Sequence, residues 1–238
     1  MVHEQLGYKS LVECVTEYLK KQLNSKELIP GQEINLASIS ATLGISRTPV
    51  REALLQLSKE GLVEVLSRRK FCFAKLTMDD LGHLYSLIGL LEAEAAKPAC
   101  GRMLGDDIAK LRELYEGMAA ALDRGDACVY MSMNTASHDL IIKYCENPIL
   151  AEVIRNLKER MNLIFYDFEA AFKTVPEWEV ALLSDHLEMI NAIASKNKKA
   201  LRHVIQDVHW GFRRNFPFLL RYFEFINATG MAPEENRG

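Results

Sequence analysis

The fold is decided by GISRTPVREAL, residues 44–54. Ser46 is a residue type that caps helix N-termini, and Pro49 falls in the first helical turn, where a missing amide hydrogen loses no partner. Apolar residues then recur at the spacing of one buried stripe, at Val50, Ala53, Leu54 and Leu57. Arg47, Thr48 and Arg51 point away from that stripe. The pattern predicts a short amphipathic helix with two arginines one turn apart on its exposed face.

Two helical patterns precede this stretch. The first has an apolar residue every four positions and ends by LIPG, residues 28–31, because proline and glycine together interrupt a helix; its apolar residues are Leu11, Val15, Leu19 and Leu23. The second begins after Asn35, a capping residue, and ends at Leu43 before Gly44, which readily takes the left-handed conformation. The sequence therefore predicts a helix, a glycine turn and a further helix.

A basic hairpin is predicted after the arginine-bearing helix. Residues 62–66 and 71–74 are short β-prone runs, and the segment between them carries Arg68, Arg69 and Lys70. Three helices followed by a hairpin predict a winged helix-turn-helix domain over residues 1–75. In that motif the second helix of the pair enters the major groove and the wing lies along the DNA backbone.

The predicted fold makes the exposed arginines candidates for contact with DNA. Arg47 and Arg51 can each offer a bidentate fork to a guanine edge or clamp a phosphate, and Thr48 is a third candidate contact. An arginine pair at this spacing on an arbitrary helix is more often a solvated face. Here the cap, the turn, the buried stripe and the basic hairpin agree, so we favour DNA binding.

Composition is that of a folded protein with two domains. The chain has 238 residues, of which 49% are hydrophobic and 26% charged. No apolar run approaches the length needed to span a bilayer, and the N-terminus lacks the pattern of a signal peptide. We therefore expect a cytoplasmic protein with no membrane partner. The five cysteines include no C-x-x-C pair, which favours buried, reduced thiols over disulfides or a zinc ribbon.

Charge is divided unevenly along the chain. Residues 1–75 carry 11 lysines and arginines against 8 acidic residues, a net charge of +3, whereas residues 76–238 carry 18 against 24, a net charge of −6. A basic N-terminal part suits DNA, and an acidic remainder is repelled by phosphates. The charge pattern thus favours a regulatory domain held away from the DNA.

The remainder of the chain is predicted to be all helical. Thr77 and Asp80 have the spacing of a capping box, and Leu81, Leu84, Leu87, Leu91 and Ala95 then keep helical spacing. Further helices are expected at residues 106–124, 127–144, 147–172, 178–195 and 198–222. The fold class is mainly α, with a helical bundle over residues 76–228 and a disordered tail over 229–238.

With these features, the chain resembles a GntR-family transcription regulator of the FadR-type subgroup, with an all-helical ligand-sensing (FCD) domain. The resemblance covers nearly the whole chain, and its strongest parts are Pro30-Gly31, residues 44–54, Glu60-Gly61-Leu62-Val63, Leu91-Glu92, residues 147–150 and Asp185-His186. It implies a homodimer on a roughly palindromic operator, with a small-molecule effector controlling DNA affinity. It also implies that Ser46 contacts DNA with Arg47, Arg51, Thr48 and the wing.

Two departures from the family pattern lie in the DNA-binding part. A basic residue often found in the preceding helix is replaced by Ala37, and the glycine common at the wing tip is replaced by Lys70. Lys70 offers an additional phosphate contact, yet its side chain disfavours close approach of the wing to the minor groove.

Similar regulators often hold a divalent metal through a carboxylate and a histidine four residues later, plus two later histidines. Here Asn134 and His138 have that spacing, which puts both on one helix face, and His186 matches the third ligand. The fourth falls at Val208, with His209 one residue late, a rotation of about 100° in a regular helix. Imidazoles and an amide suit zinc or nickel, although the missing carboxylate weakens the site.

The alternative without metal binding is that Asn134, His138 and His186 line an effector pocket, or that they are hydrogen-bonded core residues. Where similar regulators frequently carry an arginine that would clamp a carboxylate, this chain has Ile88, which makes a small organic acid a less favoured effector.

Two other function classes stay open. A metal-dependent enzyme fused to a DNA-binding domain needs a base or nucleophile beside the metal, and no spacing singles out Asp185 or Glu188, so no catalytic residue is assigned. A constitutive architectural DNA binder predicts that no ligand changes DNA affinity. We favour an effector-responsive transcription regulator.

Overall fold

The computed structural model describes residues 10–24, 30–67, 70–163, 165, 169, 172–173 and 176–228. The chain divides into two compact units: the first contains the described residues up to Leu76 together with Asn162, Leu163 and Phe165, and the second contains the other described residues from Thr77 onward. Arg68, Arg69 and the tail expected to be disordered, residues 229–238, lie outside the described residues. No described helix is long and apolar enough to cross a bilayer.

The first unit has three helices and a hairpin, as predicted. They are α1 (Leu11–Asn24), α2 (Leu36–Leu43), α3 (Arg47–Lys59), β1 (Val63–Ser67) and β2 (Lys70–Phe73). The predicted stripe of α3 is buried in full. The Asn35 side chain accepts hydrogen bonds from the amides of Ala37 and Ser38, and Gly44 ends α2 with a φ of 65°. Local sequence signals therefore fix the turn that precedes α3.

Two local details of the first unit differ from the prediction. Ser46 occupies the N-cap position with extended backbone, but its hydroxyl makes no capping hydrogen bond to α3. Lys70 lies in β2 opposite Ser67, and not in the connecting loop, because the strands pair antiparallel with a register shift between Val65 and Ser67. An isolated bridge between Glu33 and Cys72 adds a third extended segment beside the hairpin.

The second unit is all helical in its described part. Its helices are α4 (Met78–Ala96), α5 (Ala99–Arg102), α6 (Gly105–Arg124), α7 (Ala127–Ile142), α8 (Pro148–Met161), α9 (Pro176–Ala194), α10 (Lys198–His203) and α11 (Phe212–Ala228). Both bonds of the capping box between Thr77 and Asp80 are present at the start of α4. The buried face of α4 passes through Ile88 and Glu92, whereas Leu87, one of the apolar residues at helical spacing, is 47% exposed.

Two predicted helices were too long. The helix expected at residues 147–172 ends at Met161, and the following residues Asn162 and Leu163 form a turn. The helix expected at 198–222 is interrupted: a π-helical segment, Val204–His209, follows α10, and the chain turns at Trp210 and Gly211 before α11 begins.

The cysteines also differ from the expectation, because only Cys72 and Cys100 are buried; all five are free thiols.

The π-helical segment has a clear local cause at its C-terminal end. The amide of Trp210 bonds to the carbonyl of Ile205, five residues back, at 3.0 Å. A Cβ atom on Gly211 would lie 2.2 Å from the carbonyl oxygen of Asp207, so only glycine fits there. The Asn215 amide nitrogen then donates to the carbonyls of His209 and Gly211, which replaces bonds lost at the interruption.

Replacing Gly211 with alanine is therefore expected to destabilise the protein by about 1–3 kcal/mol, the range for forced overpacking. The methyl group must displace backbone atoms, which cannot rotate away as a flexible side chain can. Urea unfolding of the full chain measures the effect. Gly101→Ala is the matched control, since a Cβ on Gly101 meets nothing within 4 Å. Equal stability of the two variants would contradict this account of the interruption.

Candidate DNA-binding surface and metal centre

The candidate DNA-binding surface is the exposed face of α3. Arg47, Thr48 and Arg51 are exposed, while Val50 beside them is fully buried and anchors the helix in the first unit. Neither arginine has an ion-pair partner among the described residues. Both guanidinium groups are thus available to a ligand, and Ser46 is exposed at the same end of the helix.

Lys70, the described basic residue of the wing, is engaged within the protein. Its Nζ lies 3.0 Å from Oε2 of Glu33, and the two side chains are 58% and 55% exposed. An exposed ion pair of this kind contributes about 0–1 kcal/mol, so a phosphate group can compete for the lysine. Glu33 therefore opposes any DNA contact that Lys70 makes.

Replacing Glu33 with glutamine is expected to raise DNA affinity at low salt by up to about fivefold, because Lys70 no longer has to leave a carboxylate. Fluorescence anisotropy with a labelled duplex measures the change. Glu64→Gln is the control, because Glu64 is an exposed acidic residue of β1 and its replacement removes the same charge. An equal gain in both variants would assign the effect to net charge and not to this ion pair.

Three buried histidines meet inside the second unit. His138 lies on α7, His186 on α9 and His209 at the end of the π-helical segment, and each is at most 5% exposed. One ligand atom from each lies within 4.8 Å of the others, and the ring centroids are 5.0–5.1 Å apart. We call this group the histidine triad. The geometry is that of a site that could hold a metal ion.

A buried carboxylate orients the first histidine. Oε1 of Glu92 lies 2.8 Å from Nδ1 of His138 and 2.7 Å from Nζ of Lys158, and the indole nitrogen of Trp210 donates to the other oxygen. A hydrogen bond from Nδ1 to the carboxylate leaves the Nε2 lone pair of His138 free. Nε2 is buried and has no hydrogen-bond partner in the described part of the chain.

A second buried carboxylate lies beside His209. Oδ2 of Asp185 is 3.5 Å from Nδ1 of His209, although the geometry is not that of a hydrogen bond, and Nδ1 has no partner among the described residues. Arg214 holds Asp185 with two hydrogen bonds of 2.7 and 2.9 Å. Each of these carboxylates, Glu92 and Asp185, thus contacts one histidine and one cation.

The third histidine contacts the half-buried amide of Asn134. Nε2 of His186 donates to Oδ1 of Asn134 at 2.7 Å, and Nδ1 lies 3.5 Å from the Ser137 hydroxyl. A metal at Nε2 would replace that proton, and the amide oxygen would then be available as a fourth ligand. With the unpartnered nitrogens of the other two histidines, the residues present fit a divalent metal.

The surroundings keep two of the three imidazoles, those of His138 and His186, in the neutral form. Burial lowers the pKa of His138 to about 4, even though Glu92 opposes the shift, and burial together with the other two imidazoles lowers the pKa of His186 well below its ordinary value. Burial alone would raise the pKa of Glu92, but His138 and Lys158 hold it well below its usual range. Neutral imidazoles are the form that binds metal.

Two family descriptions match the chain. "Bacterial regulatory proteins, gntR family" matches residues 11–72, and "FCD domain" matches residues 83–208, more than half of the chain. The chain belongs to the GntR family. It is a DNA-binding transcription regulator with an FCD domain, as the resemblance implied.

Similar proteins support the assignment of this GntR-family regulator. The HTH-type transcriptional regulator McbR of Escherichia coli K12 is 29% identical over 209 residues, which is 86% of this chain and 91% of that protein. The Nta operon transcriptional regulator of Aminobacter aminovorans is 28% identical over 173 residues, covering 71% of this chain and 77% of that protein. The structure of E. coli McbR/YncC has a TM-score of 0.73 at 26% identity, covering 91% of this chain and 100% of that one.

These relatives decide against one of the function classes considered from the sequence, the enzyme. They are named as transcription regulators and not as enzymes, so the GntR-family assignment replaces the metal-dependent enzyme alternative.

Arg68 and Arg69, predicted to contact DNA, lie outside the described residues.

The structure also adds residues that the sequence reasoning on this GntR-family regulator missed. Glu92, Lys158, Trp210 and Arg214 were not predicted to surround the histidines, and Asp185 was weighed only as a base. Glu92 had a signal, since it lies four residues after Ile88 on the buried face of α4. The π-helical segment corrects the register of His209, which is buried in the triad while Val208 is half-exposed.

Proposed function

We propose that this GntR-family regulator acts in the cytoplasm as a homodimer whose affinity for a DNA operator is controlled by a small-molecule effector bound beside a divalent metal. The observation that carries the proposal is the convergence of three buried imidazoles, two of them with unpartnered nitrogens among the described residues. Zinc or nickel suits this donor set.

In the proposed DNA complex, Arg47 and Arg51 make the principal contacts from α3, with Ser46 and Thr48 at the start of the same helix. The wing residues Arg68, Arg69 and Lys70 contact the backbone. The exposure of α3 and the lack of competing ion pairs at its arginines in the described chain support these roles. A homodimer presents two such helices to half-sites one helical repeat apart, so a small change in their spacing lowers affinity.

In the second unit, His138, His186 and His209 hold the metal, and the amide oxygen of Asn134 completes the set. When bound, the metal supplies a Lewis-acidic position for an anionic group of the effector. Asn134, His138 and His186 line the effector position from α7 and α9. Glu92 and Asp185 place negative charge beside His138 and His209. This charge offsets part of the cation's charge, although no ligand is itself a carboxylate.

Three measurements test the proposal. Metal analysis of protein purified without chelator is expected to find about one zinc or nickel ion per chain. Sedimentation is expected to give a dimer. Operator affinity is expected to respond to candidate effectors in metal-loaded protein and not after chelation. An affinity unchanged by metal and by every compound that binds would favour the architectural DNA binder instead.

Replacing Glu92 with glutamine is expected to weaken zinc affinity by about 10–100-fold, because the amide no longer fixes the His138 tautomer or raises its basicity. Competition titration with a chromogenic chelator measures the affinity. Glu94→Gln on the same helix is the control, since Glu94 is exposed and pairs with Lys97, three residues later on the chain. Unchanged affinity in the Glu92 variant would mean that the carboxylate does not orient this ligand.

A further inference from the structure

Three helices of the second unit carry a second set of polar residues, which we call the second layer. Each lies seven or eight residues before a residue of the first layer, which consists of His186, His138 and Glu92. On α9, Glu179 precedes His186 by seven residues, and on α7, Tyr130 precedes His138 by eight. On α4, Tyr85 precedes Glu92 by seven. Seven residues are about two helical turns, so the two layers share a face and are separated by about 10.5 Å along the helix axes.

The centre of this second layer is a buried carboxyl group that has no countercharge among the described residues. Glu179 is 2% exposed, and its Oε2 has no hydrogen-bond partner in the described part of the chain. The Tyr130 hydroxyl lies 3.3 Å from the Glu179 backbone oxygen. Burial raises the pKa of Glu179 to about 7, with the Tyr130 hydroxyl alone opposing it. An isolated buried carboxylate is unfavourable unless a partner is supplied.

The other buried acids of the unit show what Glu179 lacks. Glu92 is paired with Lys158, and Asp185 with Arg214. No lysine, arginine or histidine of the described residues lies within ion-pair distance of Glu179. Tyr130 is an aromatic residue in contact with Glu179, and burial followed by the charge of Glu179 raises the pKa of its hydroxyl. A carboxylate with an aromatic neighbour favours an organic cation.

We propose that Glu179, with Tyr130 beside it, forms an ammonium-binding subsite, and that the effector is a short organic molecule with a primary amine at one end and an anionic, metal-binding group at the other. The amine pairs with Glu179, and the anionic end lies at the triad. After about 2–3 Å is allowed for the contact at each end, about 5–6 Å remains between the two polar ends of the ligand. A chain of four or five carbons has that span.

The proposed effector class rests on the proposed function, but the amine subsite can be tested alone. Thermal unfolding of full-length, chelator-treated protein is expected to show stabilisation by n-pentylamine and none by n-pentanol or pentanoate. Glu179→Gln is expected to abolish the response to the amine, because a neutral amide cannot pair with an ammonium group. Glu177→Gln on the same helix is the matched control, since Glu177 is exposed and pairs with Arg221.

A second arm joins the two ends of the ligand. With zinc-loaded protein, 5-aminopentanoate is expected to stabilise at concentrations at least tenfold lower than either n-pentylamine or pentanoate, and only in protein that retains Glu179. No response to the amine beyond that to the alcohol, or an equal response in Glu179→Gln, would overturn the subsite. Loss of the zinc effect with a Glu179-dependent amine response intact would instead contradict the proposed metal centre.

Discussion

Replacement of both Arg47 and Arg51 with alanine is expected to lower operator affinity by about 30-fold to 25,000-fold. A bidentate contact to a base contributes about 1–3 kcal/mol, and the variant loses two. Both side chains are exposed on α3, so their truncation leaves the buried stripe of that helix intact. Anisotropy titrations with an operator duplex, obtained by mapping bound genomic sites, measure the change.

The salt dependence of the same titrations separates base contacts from phosphate contacts. If the arginines clamp phosphates, the slope of log affinity against log salt falls by about one for each residue, and unrelated duplexes lose affinity equally. Arg112→Ala/Arg124→Ala is the control, because it removes two exposed arginines from α6. Operator affinity retained by the Arg47/Arg51 variant would refute their assignment as principal contacts.

Replacement of His186 with alanine is expected to abolish most of the stabilisation that zinc confers. A cation at a thousandfold excess over its dissociation constant stabilises the folded state by about 4 kcal/mol, and loss of one of three histidine ligands removes tight binding. Thermal unfolding with and without zinc measures the difference between two midpoints for each variant. The comparison is internal, so a lower midpoint of the variant without metal does not obscure it.

His203→Ala is the control for the triad. His203 is 65% exposed and contacts Asp207, so its loss is expected to leave the zinc-dependent shift unchanged. Equal zinc shifts in the His186 variant, the His203 variant and the unaltered protein would place zinc outside the triad. A shift lost on replacement of Asn134 as well would support the amide as the fourth ligand.

Sequence reasoning worked where structure is determined locally. The Asn35 cap, the Gly44 turn and the stripe of α3 each depend on residues close in the chain, and all three are present. It worked less well for Ser46 and Lys70, since a cap bond depends on one rotamer and a strand end on the register of its partner. The fold class followed from patterns that repeat over many residues.

The candidate metal centre was predicted only in part, for two physical reasons. The resemblance put the fourth ligand at Val208, and a regular helix of 3.6 residues per turn would rotate His209 away from the site, whereas the π-helical segment brings His209 into it. The stripe of leucines through Leu87 also did not predict that Glu92 is buried, because this burial depends on His138 and Lys158, which are 46 and 66 residues away. Partners that distant leave no mark in the local sequence pattern.

The wide turn before Trp210 has a consequence for how such chains are compared with one another. A π-helical turn accommodates one extra residue, so an ancestor lacking that residue could present the same imidazole from a position one earlier in its own numbering. An ungapped column-by-column comparison then pairs a histidine with a valine and reports a lost ligand. Comparing ring positions in space, with a gap allowed beside Gly211, would recover the matching imidazole.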